Sequence, residues 1–390
     1  MTPFQFIVCC CRAHWQSSPE QSSPEHFTEL DWGAIVDLAH QNGVVSLLYH
    51  SLRTHEQAVP EEVQTQLHQA FHHQLRQNFR LVAALRQLLP QFEQAQIPVL
   101  PIKGPILAKS LYGNFALRRM RDLDLLVHPQ DAWRVHALLW QQGYRCYDRL
   151  SRAQLQQRLR TNTENALVHP QTQIQIDLHW GIVPRYYACQ LSPAELFATA
   201  QPHRFQGIDC LTSSPAAQVM ILCLNGLKEG WFELQRLCDL ALFFQRHPDL
   251  DWTALLSLAH RKDGDRAFLL GGALAQVVLR VRLPQPLAQA IESDRIVQTH
   301  CAALQQRLSN PAQQAWSLWN QTVLPLQLQR RGSSQVYSLV QLTVPLTERD
   351  IIWDALPRSL YWLYYPWRLV RLLRKALYLL WCWSGRSSTL

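Results

Sequence analysis

The chain has 390 residues, 47% of them hydrophobic and 17% charged, with a formal net charge of +8. That length holds two or three domains with ample core, and the balance excludes a disordered or fibrous chain. Its ten cysteines contain no C-x-x-C pair, which excludes a zinc ribbon or disulfide framework and implies reduced, mostly buried thiols in the cytoplasm.

Residues 1–11 lack a basic n-region and carry only a short apolar core, so they read as a poor secretory signal. No uninterrupted apolar run reaches the roughly 20 residues needed to cross a bilayer. The expected localisation is cytoplasmic, with association at a membrane surface as the variant. The basic excess is partly local: Arg118, Arg119 and Arg121 form one group, and Arg368, Arg371, Arg374 and Lys375 another. Such clusters suit a phosphate-bearing partner or an anionic surface, or simply a solvated face.

From 30 to 92 the apolar spacing is helical, and Pro60-Glu61-Glu62 marks a helix start with acidic residues in its first turn. His68 and His72 stand four apart without the intervening Glu of a zinc-protease helix, so they read as a solvated helix face. Near Ile97 the period changes to that of a short strand over 97–102, which runs into Lys103-Gly104-Pro105 and a helix through Tyr112. Gly104 permits a tight strand-to-helix turn, and Pro105 suits a first helical position.

The next strand is Asp122-Leu123-Asp124-Leu125-Leu126-Val127. Residues two apart in a strand share a face, so Asp122 and Asp124 point together while Leu123, Leu125 and Val127 enter the core. Paired carboxylates beside that much hydrocarbon are costly unless a cation holds them, and oxygen ligands suit Mg²⁺. A helix over 129–142, a short strand over 144–147 and a helix over 151–160 follow. Strands at 164–169 and 173–180 then form a hairpin across Pro170-Gln171-Thr172. In the second strand Ile174, Ile176, Leu178 and Trp180 alternate with Gln173, Gln175, Asp177 and His179, giving one core face and one polar face.

A small hairpin is expected over 203–211 around Gly207. The chain then reads as helical from Ser214 to about 280, with Asp251-Trp252 opening one helix. The remainder is helical but interrupted by Pro284, Pro286, Pro311, Pro325, Pro345 and Pro357. The expected fold class is α+β, a small mixed sheet with helices flanked by helical regions at both ends. The expected division is 1–95, 96–212, 213–282 and 283–390.

Asp177 supplies a third carboxylate to the Asp122 and Asp124 pair. Three aspartates from two neighbouring strands hold one or two Mg²⁺ ions, orient a triphosphate and help activate an attacking oxygen. Gly104, at the head of the preceding helix, lets backbone N–H groups approach phosphate.

These residues in this order resemble the nucleotidyltransferase superfamily of DNA polymerase beta type, in particular its uncharacterised bacterial branch with a Lys-Gly turn. The resemblance rests on Pro101-Ile-Lys-Gly-Pro-Ile-Leu-Ala108, Leu111-Tyr-Gly113, the run from Arg118 to Val127, Gly143-Tyr144 and Ile176-Asp-Leu-His-Trp180. It covers residues 35–279 and is strongest over 97–180. It implies a nucleotidyltransferase-like core and Mg²⁺- or Mn²⁺-dependent transfer of a nucleoside monophosphate from an NTP to an acceptor. It also implies that Asp122 and Asp124 are the metal-binding pair, Asp177 the third catalytic carboxylate and Gly104 the turn glycine.

Better-known members of the superfamily place Gly-Ser at this turn, where the Ser helps hold phosphate; here the residues are Lys103-Gly104-Pro105, and Pro105 offers no N–H. Lys103 and Arg118 are therefore the candidates for the missing phosphate contacts. His179 shares the face of Asp177, either orienting it or bonding substrate, or serving as a satisfied sheet histidine. The segment Gln235-Arg-Leu-Cys-Asp239-Leu resembles an acidic helix of the same branch, which would line the cleft, while Asp239 itself reads as structural.

The acceptor is a protein, RNA or a small molecule such as a sugar. Residues 358–383 crowd Tyr361, Trp362, Tyr364, Tyr365, Trp367, Trp381 and Trp383 around a helix whose Arg368, Arg371 and Lys375 form a stripe, which suits a peripheral membrane contact or packing against protein. Two other functions stay open. One is a catalytically inactive nucleotide-binding or partner module on the same fold. The other is a metal-dependent glycosyltransferase, which would want a longer α/β region before its Asp-x-Asp motif.

Overall fold

Local signals set the helices that open the chain. The computed structural model describes residues 1–15, 30–148, 150–309, 322–347, 350 and 358–384. Residues 1–11, weak as a targeting signal, fall in α1 (Pro3–Ala13), where a Thr2/Gln5 capping box starts the helix and Phe6, Ile7 and Cys11 are buried. Asp31 caps α2 (Trp32–Gln41), and α3 (Val45–Leu52) leads through a 3₁₀ turn to α4 (Glu61–Gln94), which starts directly after Pro60. His68 and His72 lie on α4 with their rings 4.3 Å apart, His68 exposed.

The central segment alternates strands and helices: β1 (Leu100–Pro101), α5 (Gly104–Tyr112), β2 (Leu123–Leu126), α6 (Ala132–Gln141), β3 (Arg145–Cys146), α7 (Arg152–Thr161), β4 (Glu164–Val168) and β5 (Gln175–His179). They form one sheet in the order β1-β2-β5-β4-β3, parallel between β2 and β5 and antiparallel elsewhere. The fold is thus α+β, with a small mixed sheet among helices. β1 is shorter than the apolar run over 97–102 because Pro98 and Pro101 have no N–H to donate to a ladder. Asp122 lies in a bend just ahead of β2 rather than within it.

Beyond α8 (Pro193–Ala198), β6 (Gln201–Phe205) and β7 (Ile208–Thr212) make the expected hairpin, its turn at Gln206 and Gly207 with φ of 48° and 85°. Helices then follow: α9 (Pro215–Lys228), α10 (Leu234–Arg246), α11 (Trp252–Arg261), α12 (Asp265–Leu279), α13 (Gln285–Ser293), α14 (Arg295–Leu308), α15 (Leu324–Gln327), α16 (Gly332–Thr343) and α17 (Tyr364–Ser384).

Two hydrophobic clusters organise these elements. One buries Leu123, Leu125, Val127, Ile176, Leu178 and Trp180 from the sheet against the second half of α4 and against α6. The other joins α1 to α3 with α5 and α9 to α14. The sheet's apolar face is therefore covered by α4 and α6, while its polar face meets residues of α9 and α10. That seam positions the candidate site.

Among the described residues no helix is long and apolar enough to cross a membrane. The basic stripe expected on α17 is partly internal. Arg368 and Arg371 both bind the buried Asp350, at 2.6 and 2.7 Å, so their charge is turned inward. Trp362, Tyr365, Leu369, Val370 and Leu373 are exposed. The side chains of Tyr361, Lys375, Trp381 and Trp383, and Pro311 and Pro357, lie outside the described residues.

Candidate active site

Strand register builds the site. In the parallel pair, Asp124 of β2 lies beside Asp177 of β5, and in the antiparallel pair Glu164 of β4 lies beside His179 of β5. Paired residues share a face, as do residues two apart, so Asp124, Asp177, His179 and Glu164 project from one side of the sheet. Ligand atoms of Asp124, Asp177 and His179 fall within 4.8 Å of one another. Asp122 lines the same pocket but stands outside that tight group, because it precedes the strand.

Gly104 forms the turn between β1 and α5. Its φ of +61° is left-handed, a region that costs an L side chain strain, while the space beside it is open enough that the nearest atom to an added Cβ would be the Asp122 carbonyl at 3.7 Å. The backbone conformation, not crowding, selects glycine here. Pro105 follows inside the first turn of α5.

Lys103 reaches across this turn. Its Nζ lies 2.7 Å from Asp124 Oδ1 and donates to Asn225 Oδ1 of α9 at 3.2 Å. Burial works against the Lys103 ammonium, but Asp124 and Asp122 outweigh it and raise its pKa. Burial likewise works against the Asp124 carboxylate, yet Lys103 and His179 hold it well below the usual range. For Asp122 the balance goes the other way: burial first, then the charges of Asp124 and Asp177, outweigh Lys103 and His179 and push it up to about 7. Burial and Asp124 also raise Asp177, whose Oδ1 accepts from Gln175 Nε2 at 2.8 Å.

His179 bridges two carboxylates. Its Nε2 lies 3.1 Å from Asp124 Oδ1 and its Nδ1 3.3 Å from Glu164 Oε2. Lys228 of α9 fixes Glu164 in turn, at 2.6 and 2.5 Å. Nε2 is hydrogen-bonded to the carboxylate cluster, whereas Nδ1 makes no hydrogen bond among the described residues and meets Glu164 only through charge.

Arg118 is placed by α10. Its guanidinium meets Asp239 through Nε and Nη2, both at 2.9 Å, and Tyr112 donates to the same carboxylate at 2.7 Å. Burial would lower the arginine's pKa, but Asp239 raises it. This fork is committed to Asp239; Nη1 has no partner among the described residues, and Arg118 lines the pocket.

Lys103, Gly104, Arg118, Asp122, Asp124, Asp177 and His179 all line one cavity. Asn225 and Lys228 of α9, Glu229 at its C-cap and Glu233 at the N-cap of α10 also line it, together with Gln235 and Arg236 of the helix expected at the cleft. Arg119 and Arg121, legible in the sequence only as local charge, line it too.

The carboxylates fit a divalent cation on the structure's own terms. Asp124 and Asp177 crowd one small volume with His179, and Asp122 lines the same pocket. Hard oxygen donors of this kind suit Mg²⁺ or Mn²⁺.

A small mixed sheet whose parallel strands present Asp124 and Asp177 together, downstream of a left-handed glycine turn, defines a nucleotidyltransferase-like core. The chain belongs to a family described as uncharacterised nucleotidyltransferase, whose family model matches residues 28–280. No curated protein and no solved structure matches it.

Proposed function

We propose that the protein transfers a nucleoside monophosphate from an NTP to an acceptor, dependent on Mg²⁺ or Mn²⁺. The observation that carries this reading is the grouping of Asp122, Asp124 and Asp177 in one pocket behind the Gly104 turn. Asp124 and Asp177, with Asp122 alongside, would hold the cation. When bound, the cation neutralises charge developing on the phosphates.

The residues do the rest. The turn at Gly104 brings backbone N–H groups toward the phosphates, and Lys103 and the free edge of Arg118 bind phosphate oxygens where Pro105 offers no N–H. Asp177 takes the proton of the acceptor hydroxyl as its oxygen attacks the α-phosphorus. The bond from that phosphorus to the bridging oxygen breaks, and pyrophosphate leaves with the electron pair. His179, held between Asp124 and Glu164, keeps the Asp124 carboxylate in place.

A second reading has its own observation. The Lys103 ammonium already sits on Asp124, so a chain that binds nucleotide without turning it over is the alternative. A binding screen of the four NTPs with Mg²⁺ or Mn²⁺, paired with an acceptor panel of protein, RNA and sugars, separates the two. Binding with transfer supports the enzyme, binding without transfer supports the module, and no binding removes both. Contact of residues 358–383 with a membrane or a protein draws on the exposed Trp362, Leu369 and Leu373 of that segment. Co-sedimentation with liposomes that survives deletion of 358–390 would sink it.

A further inference from the structure

The loop between α5 and β2 is fastened with unusual density for a connection rich in arginine. From α4, Asn78 Nδ2 donates to the Phe115 and Arg118 carbonyls at 2.6 and 2.9 Å, and Asn78 Oδ1 accepts from Met120 N–H at 3.2 Å. From α10, Gln235 grips both backbone groups of Arg119, at 3.1 and 3.0 Å. Asn78 and Gln235 are buried. Two helices thus hold the loop in one conformation before any ligand arrives, which lowers the ordering cost of binding.

The loop presents Arg119 and Arg121, and with Arg236 of α10 they group three guanidinium groups around one carboxylate. Arg119 Nη2 and Arg121 Nη2 lie 2.8 and 2.5 Å from the same oxygen of Glu233, and Arg236 Nη2 lies 3.4 Å from the other. Glu229, 3.9 Å from Arg236, is the second carboxylate facing this group. Glu233 stands at the N-cap of α10 but makes no capping bond with its side chain; Asn42 of the α2–α3 turn takes that place, its side-chain oxygen accepting from Leu234 N–H at 3.2 Å. The arginines, not the helix, hold Glu233. Arg236 Nε is buried and has no partner among the described residues, a donor left without an acceptor.

We propose that Arg119, Arg121 and Arg236 form a polyphosphate seat and that Glu233 is its resident stand-in, displaced when the ligand binds. The inference rests on the nucleotide-binding reading and extends it, placing the phosphate tail on residues beyond Lys103 and Arg118. A carboxylate brings one charge and two oxygens to three guanidinium groups, of which Arg119 also donates through Nη1 to the His40 carbonyl at 2.8 Å; a chain of phosphates brings more of both to the remaining N–H groups. Glu233 keeps the arginines apart and ordered, and it competes with every anion that enters.

The test is equilibrium binding of inorganic tripolyphosphate to the full chain, without divalent cation, by isothermal titration. The wild type binds tripolyphosphate at least tenfold more tightly than orthophosphate. Arg121→Ala, whose side chain is 60% exposed and whose loss leaves the fold intact, weakens binding about tenfold. Arg236→Ala does the same, and Glu233→Gln strengthens binding about tenfold by removing the competitor. Affinity that falls or stays level in Glu233→Gln makes Glu233 a structural tie and overturns the proposal, as does equal binding of orthophosphate. The readout needs no catalysis. Tripolyphosphate binding with these signs in a chain that transfers nothing keeps the seat and removes the transferase reading; transfer with NTP affinity unchanged in Arg121→Ala and Glu233→Gln does the reverse.

Discussion

Asp124 and Asp177 stand in register across the only parallel strand pair among the described residues, one on β2 and one on β5. Parallel neighbours at matched positions point the same way, so this pairing brings together two carboxylates 53 residues apart in the chain. The pocket, the charge balance and the proposed chemistry all build on it.

The ion pair between Lys103 and Asp124 sets the first prediction. Both groups are largely buried, at 15% and 6% exposure. Lys103→Met leaves Asp124 buried beside Asp122 and Asp177 with only the hydrogen bond from His179, which costs about 3–5 kcal/mol of stability. A divalent cation bound to the native state offsets part of that loss. The melting temperature of the variant therefore rises more steeply with added Mn²⁺ than that of the wild type; equal slopes would show that Lys103 and the cation do not share the site.

Asp239 anchors Arg118 and Tyr112 at once, with 2% exposure. Asp239→Ala strands a buried guanidinium and lowers stability by about 3–5 kcal/mol. Adding Arg118→Met recovers part of the loss, since the unpaired charge is gone. A double-mutant cycle in urea measures this coupling, and additive effects would contradict it.

Gly226 on α9 lies under the fully buried Trp231. An added Cβ would come within 2.4 Å of the indole ring. Alanine gains about 1 kcal/mol in helix propensity, but the ring must move and the overpacking costs about 1–3 kcal/mol or more. Gly226→Ala is therefore destabilised by chemical denaturation. Because Asn225 and Lys228 ride on the same helix, its nucleotide affinity falls as well.

Acid stability follows from Arg330, which binds Asp265 and Asp294, each at 2.6 Å, and ties the chain after α15 to α12 and α14. Burial by itself raises both carboxyls. The bonds from His260 and Arg330 to Asp265, and from Arg266 and Arg330 to Asp294, outweigh it and hold both below the usual range. With folded values below the unfolded value of about 3.9, their stabilisation is complete above that pH and disappears as the pH falls through the folded values. Arg330→Gln flattens the acid limb of a stability profile; an unchanged slope below about pH 4 would refute this origin.

Much of this was legible in the chain itself. Strict alternation over 173–180 announced β5 and put Asp177 and His179 on its polar face, and Gly104 before Pro105 announced a tight turn into α5, whose left-handed conformation only the structure shows. Asp122 was read as lying inside the strand, but pairing begins at Leu123, so the tight cluster is Asp124, Asp177 and His179 instead. His179 had two readings, and the geometry shows one imidazole meeting both Asp124 and Glu164.

The α9 and α10 residues stayed hidden for a physical reason. Asn225, Lys228, Glu233 and Arg236 meet the sheet only because two helices dock on its polar face, and no local periodicity reports which helical face arrives there. The roles of Gln235 and Asn78 depend on backbone partners far away in sequence, so no local pattern announces them.

The central claim is tested most directly by transfer of label from α-³²P-labelled NTPs, with Mg²⁺ or Mn²⁺, to a panel comprising protein (the chain itself included), RNA and sugars. The account predicts labelled acceptor and released pyrophosphate with the wild type, and a loss of about 10²–10³-fold or more in an Asp122→Asn, Asp124→Asn variant that still folds. Undiminished transfer by that variant would contradict it.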